Sequence, residues 1–226
     1  MSIFGNKSIV VRRVFAEDSD SELLMIKEAI LTYPFLSIDI EFSGTIFKPS
    51  KQVIREGNPV INYHYMKSNV DVLQIIQLGL SLSDAQGNLL DFDFPFSYIW
   101  EFNFRDFNIN RDHYASDSIE LFKHQGIDFE KNKEKGIDSK DFAKKFWDYG
   151  LVFNSYGLKS SLEKIAQTLN VACITGSSHQ AGSDNLFTLQ CFMKFKSENI
   201  FESKWNETNQ MLLFPLTLYG LVKTIR

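Results

Sequence analysis

Residues 33–44 read YPFLSIDIEFSG. In an extended strand successive side chains point to opposite faces, so this stretch has two unlike surfaces. Leu36, Ile38, Ile40 and Phe42 share one face, and Ser37, Asp39, Glu41 and Ser43 share the other. Asp39 and Glu41 then project the same way, roughly 7 Å apart at a rise of about 3.3 Å per residue. Two carboxylates held that close beside a core repel unless a proton or a cation lies between them. A divalent cation bound through hard oxygen ligands resolves the conflict. The competing reading is a solvated face of an edge strand, an ordinary setting for a short acidic motif.

The rest of the composition is that of an ordinary globular chain. At 226 residues with no interrupting linker, a single domain spanning 1–226 is expected. Hydrophobic residues make up 44%, and 21 Phe supply material for a core. A net charge of −4 excludes the basic footprint of a protein that wraps nucleic acid over its whole surface. An enzyme that grips one RNA end, with metals supplying the positive charge, remains open. Cys173 and Cys191 lack metal-site spacing and read as small buried hydrophobes in a reducing compartment. The longest apolar stretch, MLLFPLTLYGLV, contains Pro215 and is too short to span a bilayer, so no membrane role is expected.

Local patterns order the elements. Glu17 to Leu31 carries apolar residues near helical spacing after Asp18, Ser19 and Asp20, which could cap it, and Tyr33 and Pro34 end it. Asn62 to Asn69 predicts a short helix. Leu73 to Leu82 predicts a strand, Ala85 to Asn88 a turn, and Tyr98 to Phe104 a returning strand, so the acidic strand opens an antiparallel meander. Helical patterns follow at Ser116 to His124, Ser139 to Trp147, Leu158 to Leu169 and Asp184 to Phe195. The run KNKEKGIDSKDFAKK, mixed in sign, reads as a solvated turn entering a helix. Strands first and helices afterwards predict an α/β or α+β layer fold. The aromatics from Tyr98 to Phe107 read as core by alternation, with base stacking as the lesser alternative. His64, His113 and His124 show no partner pattern.

A second group of polar residues is HQAGSD, 179–184. Ser183 can cap the following helix, and Asp184 lies in its first turn, where the helix dipole favours a carboxylate. Leu186, Leu189 and Met193 give that helix a buried stripe. His179, on the preceding loop, can lean over the same site. A capping Asp and a loop His are commonly structural. Beside an acidic strand they outline a nuclease with carboxylates for metal ions and a histidine to deprotonate water.

Taken together, YPFLSIDIEFSGTIFKP, NYHYMKSNVDVLQIIQLGLSLSDAQGNL, WEFNFRDFN, YASDSIELFKHQGIDFEKNKEKGID and HQAGSDNLFT resemble the Caf-type deadenylase, a catalytic subunit of the Ccr–Not complex within the DEDD exonuclease superfamily. The resemblance implies an α/β, RNase H-like exonuclease fold with a mixed central sheet flanked by helices. It implies a 3′→5′ poly(A)-specific exoribonuclease that hydrolyses tails to 5′-AMP with two ions, Mg²⁺ or Mn²⁺. By position, Asp39 and Glu41 match the family's first acidic motif, Asp184 its last metal-binding Asp and His179 the histidine before it. Asp39, Glu41 and Asp184 are thus the expected metal ligands, and His179 the expected general base. Implied partners are poly(A) RNA and the scaffold and second nuclease of the complex, in cytoplasm and nucleus.

The chain also departs from the resemblance. Family members carry a middle motif close to H-S-G-Y-D-F-G-Y, whose Asp is the remaining carboxylate, between the helices ending near Trp147 and beginning near Leu158. Here that interval holds only residues 148–157, DYGLVFNSYG. The expectation is an internal deletion near 148–157, with Asp148 the nearest acidic substitute. Because metal sites depend on ligand count, two readings stand: a working deadenylase, or a catalytically impaired relative that docks in the same complex. A general 3′ exonuclease acting on DNA is a third.

Overall fold

The structure is a computed structural model that describes residues 7–149, 151 and 188–190. His179, Ser183 and Asp184, the helix expected from Leu158 to Leu169 and both cysteines lie outside the described residues. Of the helix expected to begin at Asp184, residues 188–190 are helical, and Leu189 is buried as its stripe requires.

In chain order the elements are β1 (Ser8–Val14), α1 (Ser19–Ala29), β2 (Phe35–Phe42), α2 (Lys51–Glu56), α3 (Pro59–Val72), β3 (Ile75–Ser83), β4 (Phe96–Asn103), α4 (Ser116–His124), α5 (Phe129–Lys135) and α6 (Ser139–Asp148). The sheet order is β1-β4-β3-β2. β2–β3 and β3–β4 pair antiparallel, which is the expected meander. β1 was not foreseen from the sequence; it adds in parallel beside β4 and makes the sheet mixed. Among the described residues β2 is an edge strand.

Alternation divides this sheet into an apolar and a polar face. On the apolar face Leu78, Leu80 and Leu82 of β3 and Trp100 and Phe102 of β4 are fully buried. Val14, α1 through Leu23 and Ile26, and α6 through Phe142 and Phe146 pack on the same core. The Phe102 and Phe142 ring centroids lie 5.0 Å apart. Burying each such side chain stabilises the fold by about 1.5–3 kcal/mol. One polar group is admitted there: Glu22 of α1 accepts 2.8 Å hydrogen bonds from Arg12 Nε and from Trp100 Nε1, and also pairs with Arg12 Nη2. Burial raises the Glu22 pKa, but the hydrogen bonds from Arg12 and Trp100 and the guanidinium charge prevail and hold it below the usual carboxylate range.

Several local expectations need correction. Asp18 occupies the N-cap of α1, yet its side chain makes no capping bond; the Ser19 hydroxyl donates instead to the Ala16 carbonyl. The helix expected over Asn62–Asn69 is the middle of the longer α3, which starts at Pro59 under an Asn58 cap. The KNKEK run is not a solvated turn but most of α5, because Asp128 caps it by accepting from Lys131 N and Asn132 is buried beneath it. The other elements expected within the described residues match closely, as with α4, Ser116–His124. Among the described residues no helix is long and apolar enough to cross a membrane.

Candidate metal centre

The register of the sheet decides where the acidic pair points. Asp39 pairs with Gly79, Gly79 with Glu101, and Glu101 with Arg13. Glu41 pairs with Gln77, and Gln77 with Asn103. Directly paired residues share a face, so these two rows form a polar surface opposite the leucine core. Ser37, Ser81 and Ile99 continue it as a third row. That surface is not solvated: Gln77, Ser81, Glu101 and Asn103 are all buried. Asp39 and Glu41, nearest the edge, are half-buried. The sheet therefore sets Asp39 and Glu41, half-buried, at the edge of a polar wall whose inner part is buried.

Gly79, the cross-strand partner of Asp39, adds no side chain to the row. Two half-buried, same-face carboxylates are a hard-oxygen donor set of the kind that suits Mg²⁺ or Mn²⁺. Among the described residues no group of three or more His, Cys, Asp or Glu could hold a metal ion.

Asp148 does not join them. It ends α6, whose Phe142 and Phe146 pack on the apolar face, while Asp39 and Glu41 leave from the other. Leu151, buried in that same core, keeps the chain on the apolar side beyond α6. His64 lies edge-on to Tyr63 on α3, and the His113 carbonyl accepts from the Ser43 hydroxyl. The aromatic stretch after Tyr98 is core as expected, with Trp100, Phe102, Phe104 and Phe107 buried.

The sequence reading missed Gln77, Gly79 and Glu101. Their signal was present in LQIIQLGLSL and YIWEFNF as the polar members of alternating strands, but it acquires meaning only once the register sets them beside Asp39 and Glu41.

Comparison with known proteins places this wall in a family. The profile described as CAF1 family ribonuclease matches residues 14–148, which include β2 and its acidic pair. The chain belongs to the CAF1 family of ribonucleases. It is similar to the probable CCR4-associated factor 1 homolog 7 of Arabidopsis thaliana, 34% identical over 276 aligned positions that take in 98% of this chain and 97% of that one. It is also similar to the poly(A) ribonuclease pop2 of Schizosaccharomyces pombe, at 33% identity over 83% of this chain and 69% of the relative. Among solved structures, S. pombe Pop2p in its Mg²⁺- and Mn²⁺-bound form aligns with a TM-score of 0.72 at 29% identity, covering 90% of this chain and 97% of that one. The yeast NOT1 MIF4G domain co-crystallised with CAF1 provides a further fold match, with a TM-score of 0.62 at 24% identity over 84% of this chain and 90% of the matched one. The mixed sheet flanked by helices is thus the fold of the Pop2 ribonuclease domain.

Proposed function

We propose that this CAF1-family chain is a divalent-metal-dependent 3′→5′ exoribonuclease that shortens poly(A) tails and releases 5′-AMP. The observation that carries this reading is the Asp39–Glu41 pair on a buried polar wall, in a chain whose relatives include a poly(A) ribonuclease. Mg²⁺ or Mn²⁺ is the proposed cofactor; both are bound in the related Pop2p structure.

In the proposed mechanism Asp39, Glu41 and Asp184 would hold the metal ions through their carboxylate oxygens. When bound, two such ions supply Lewis-acid stabilisation of the charge that develops on the phosphate and its leaving oxygen. His179 would take the proton from the attacking water, the general-base role the family resemblance gives it. The half-buried setting of Asp39 and Glu41 strengthens their charge interactions relative to bulk water. Partnership with a NOT1-type scaffold is proposed by analogy with the yeast CAF1 co-crystal, and residence in cytoplasm and nucleus is proposed from the family resemblance alone.

A specific observation favours keeping the docking reading beside this one. The family match stops at Asp148, at the start of the interval 148–157 where the sequence reading expects a deletion that takes the middle acidic motif with it. A chain short of one carboxylate would keep its surface while losing rate. Incubation with a 3′-labelled oligo(A) RNA and Mg²⁺ or Mn²⁺, comparing wild type with Asp39→Ala, separates these readings. Shortening that Asp39→Ala abolishes supports the enzyme. Absence of shortening, or shortening indifferent to the substitution, supports the docking subunit, and equal degradation of DNA supports the general exonuclease.

A further inference from the structure

Among the described residues β1 forms one edge of the sheet, with β4 on only one of its two sides. The hydrogen bonds of β4 show which backbone groups of β1 are left over. Along a strand the N–H and C=O of successive residues point to opposite sides. Phe104 N donates to Ile76 O on β3, and the Asn103 carbonyl accepts from Ile137 N on the other side. The odd-numbered residues of β4 therefore turn their backbone groups toward β1. In a parallel ladder Ile99, which stands opposite Val11, bonds the residues flanking Val11 and not Val11 itself. Val10 and Arg12 thus face β4, while Ile9, Val11 and Arg13 present N–H and C=O outward, with no backbone partner among the described residues.

Native proteins blunt such an edge with Pro, unpaired charge, a bulge or a very short strand. β1 is seven residues of SIVVRRV in continuous register with β4. Arg12 and Arg13 lean to opposite faces of their own sheet, where they pair with Glu22 and Glu101. Their charge is thereby balanced within the chain. Val10 and Val11, at the middle of the strand, are 36% and 41% exposed. The edge therefore joins outward hydrogen-bonding groups to exposed apolar side chains and carries no unbalanced charge to repel a second strand.

We propose that this edge is closed by the β1 strand of a second copy of this chain, antiparallel to the first about a twofold axis at Val11. Strand addition of this kind draws its affinity from the main chain, and a twofold contact requires an edge that complements itself. Three constraints select the register. Val14 packs in the leucine core and Arg13 stands on the polar side, so only an axis through a residue keeps leucine face beside leucine face. An axis at Val10 would set Lys7 directly across from Arg13, a like-charge pair. The axis at Val11 sets Ile9 across from Arg13, Val10 across from Arg12 and Val11 across from itself, so no like charges are opposed. It also brings the outward backbone groups of Ile9, Val11 and Arg13 face to face, for about six hydrogen bonds in all. The contact is independent of the nuclease reading, because β4 and β3 separate β1 from the strand that carries Asp39.

Sedimentation velocity of the full chain at tens of micromolar tests this. Wild type is expected at twice the mass of one chain. Val11→Lys, which sets two ammonium groups across the axis, is expected at the mass of one. Val11→Pro removes an outward N–H and leaves the bonds to β4 in place, and it is expected to halve the mass in the same way. Should Val11→Pro lose the native circular dichroism spectrum, Val11→Lys decides alone, because it alters only an exposed side chain. Val11→Cys is expected to join two copies through a disulfide that wild type does not form, since directly opposed residues of a hydrogen-bonded pair lie about 5.5 Å apart at Cα. Wild type at the mass of one chain would mean that the edge belongs to some other strand, and would overturn the proposal. A dimer that persists in natively folded Val11→Lys, or one in which Val11→Cys stays unlinked under oxidation, would do the same.

Discussion

Asp39 stands directly across the β2–β3 ladder from Gly79, the one position of that row without a side chain. Gly79 is not among the glycines with positive φ, so the backbone does not require glycine there. Gly79→Leu restores strand propensity but sets a bulky side chain in the row between Asp39 and Glu101. The expected outcome is a folded protein whose Mn²⁺ uptake, measured by calorimetry, falls at least tenfold, with tail shortening lost in parallel. Full Mn²⁺ uptake by a natively folded Gly79→Leu would show that the proposed metal centre does not depend on the small residue beside Asp39.

Glu22 makes stability depend on pH in a defined direction. Its folded pKa lies below the ordinary glutamate value, so the Arg12–Glu22–Trp100 cluster stabilises the fold above about pH 4.3 and loses that contribution as pH falls through the depressed value. Glu22→Gln keeps an acceptor for Trp100 but discards the charge. We expect a loss of about 1–2 kcal/mol at pH 7, with the thermal midpoints of the two proteins converging in acid. A midpoint difference that is constant from pH 7 to pH 3 would show that the ion pair contributes nothing.

Period-2 alternation was enough to read β2, β3 and β4, because the meander connects neighbours and one face of each strand is apolar. It also gave the correct faces for Asp39 and Glu41. It did not reveal β1: SIVVRRV has Arg12 and Arg13 where a buried strand should be apolar, and their partners Glu22 and Glu101 come from distant segments. Nor did charge pattern reveal α5, whose helical state depends on the Asp128 cap and on burial of Asn132. The other half of the expected metal centre, His179 and Asp184, lies outside the described residues. Local pattern therefore specified the elements, while the polar wall needed the register.

Gly136 is a point where the backbone itself is in contact. A Cβ there would meet the Asn132 carbonyl oxygen, and would lie 2.6 Å from Arg105 N and 2.7 Å from the Phe104 carbonyl carbon. These are main-chain atoms of the α5 end and of the segment after β4, tied by the Phe104–Ile137 bridge, and they cannot swing aside as a side chain can. Gly136→Ala is expected to cost about 3 kcal/mol or more, read as a lowered urea midpoint. An unchanged midpoint would mean that α5 can shift freely against β4.

Asp148 is the last residue of the family match and the acid nearest the interval where the sequence reading expects a deletion, yet α6 sets it on the leucine side of the sheet, away from Asp39 and Glu41. It follows that Asp148→Asn leaves metal uptake and any oligo(A) shortening within about twofold of wild type. By contrast, inserting after Asp148 the segment that carries the H-S-G-Y-D motif in a family relative would supply the further carboxylate that the expected deletion removes. That chimera is expected to shorten oligo(A) at least 100-fold faster than the native chain, with the gain abolished when the inserted Asp is changed to Asn. If Asp148→Asn instead eliminates activity in the native chain, the acid at the end of α6 does reach the metals, and the division of the sheet into an apolar and an acidic face fails at its edge.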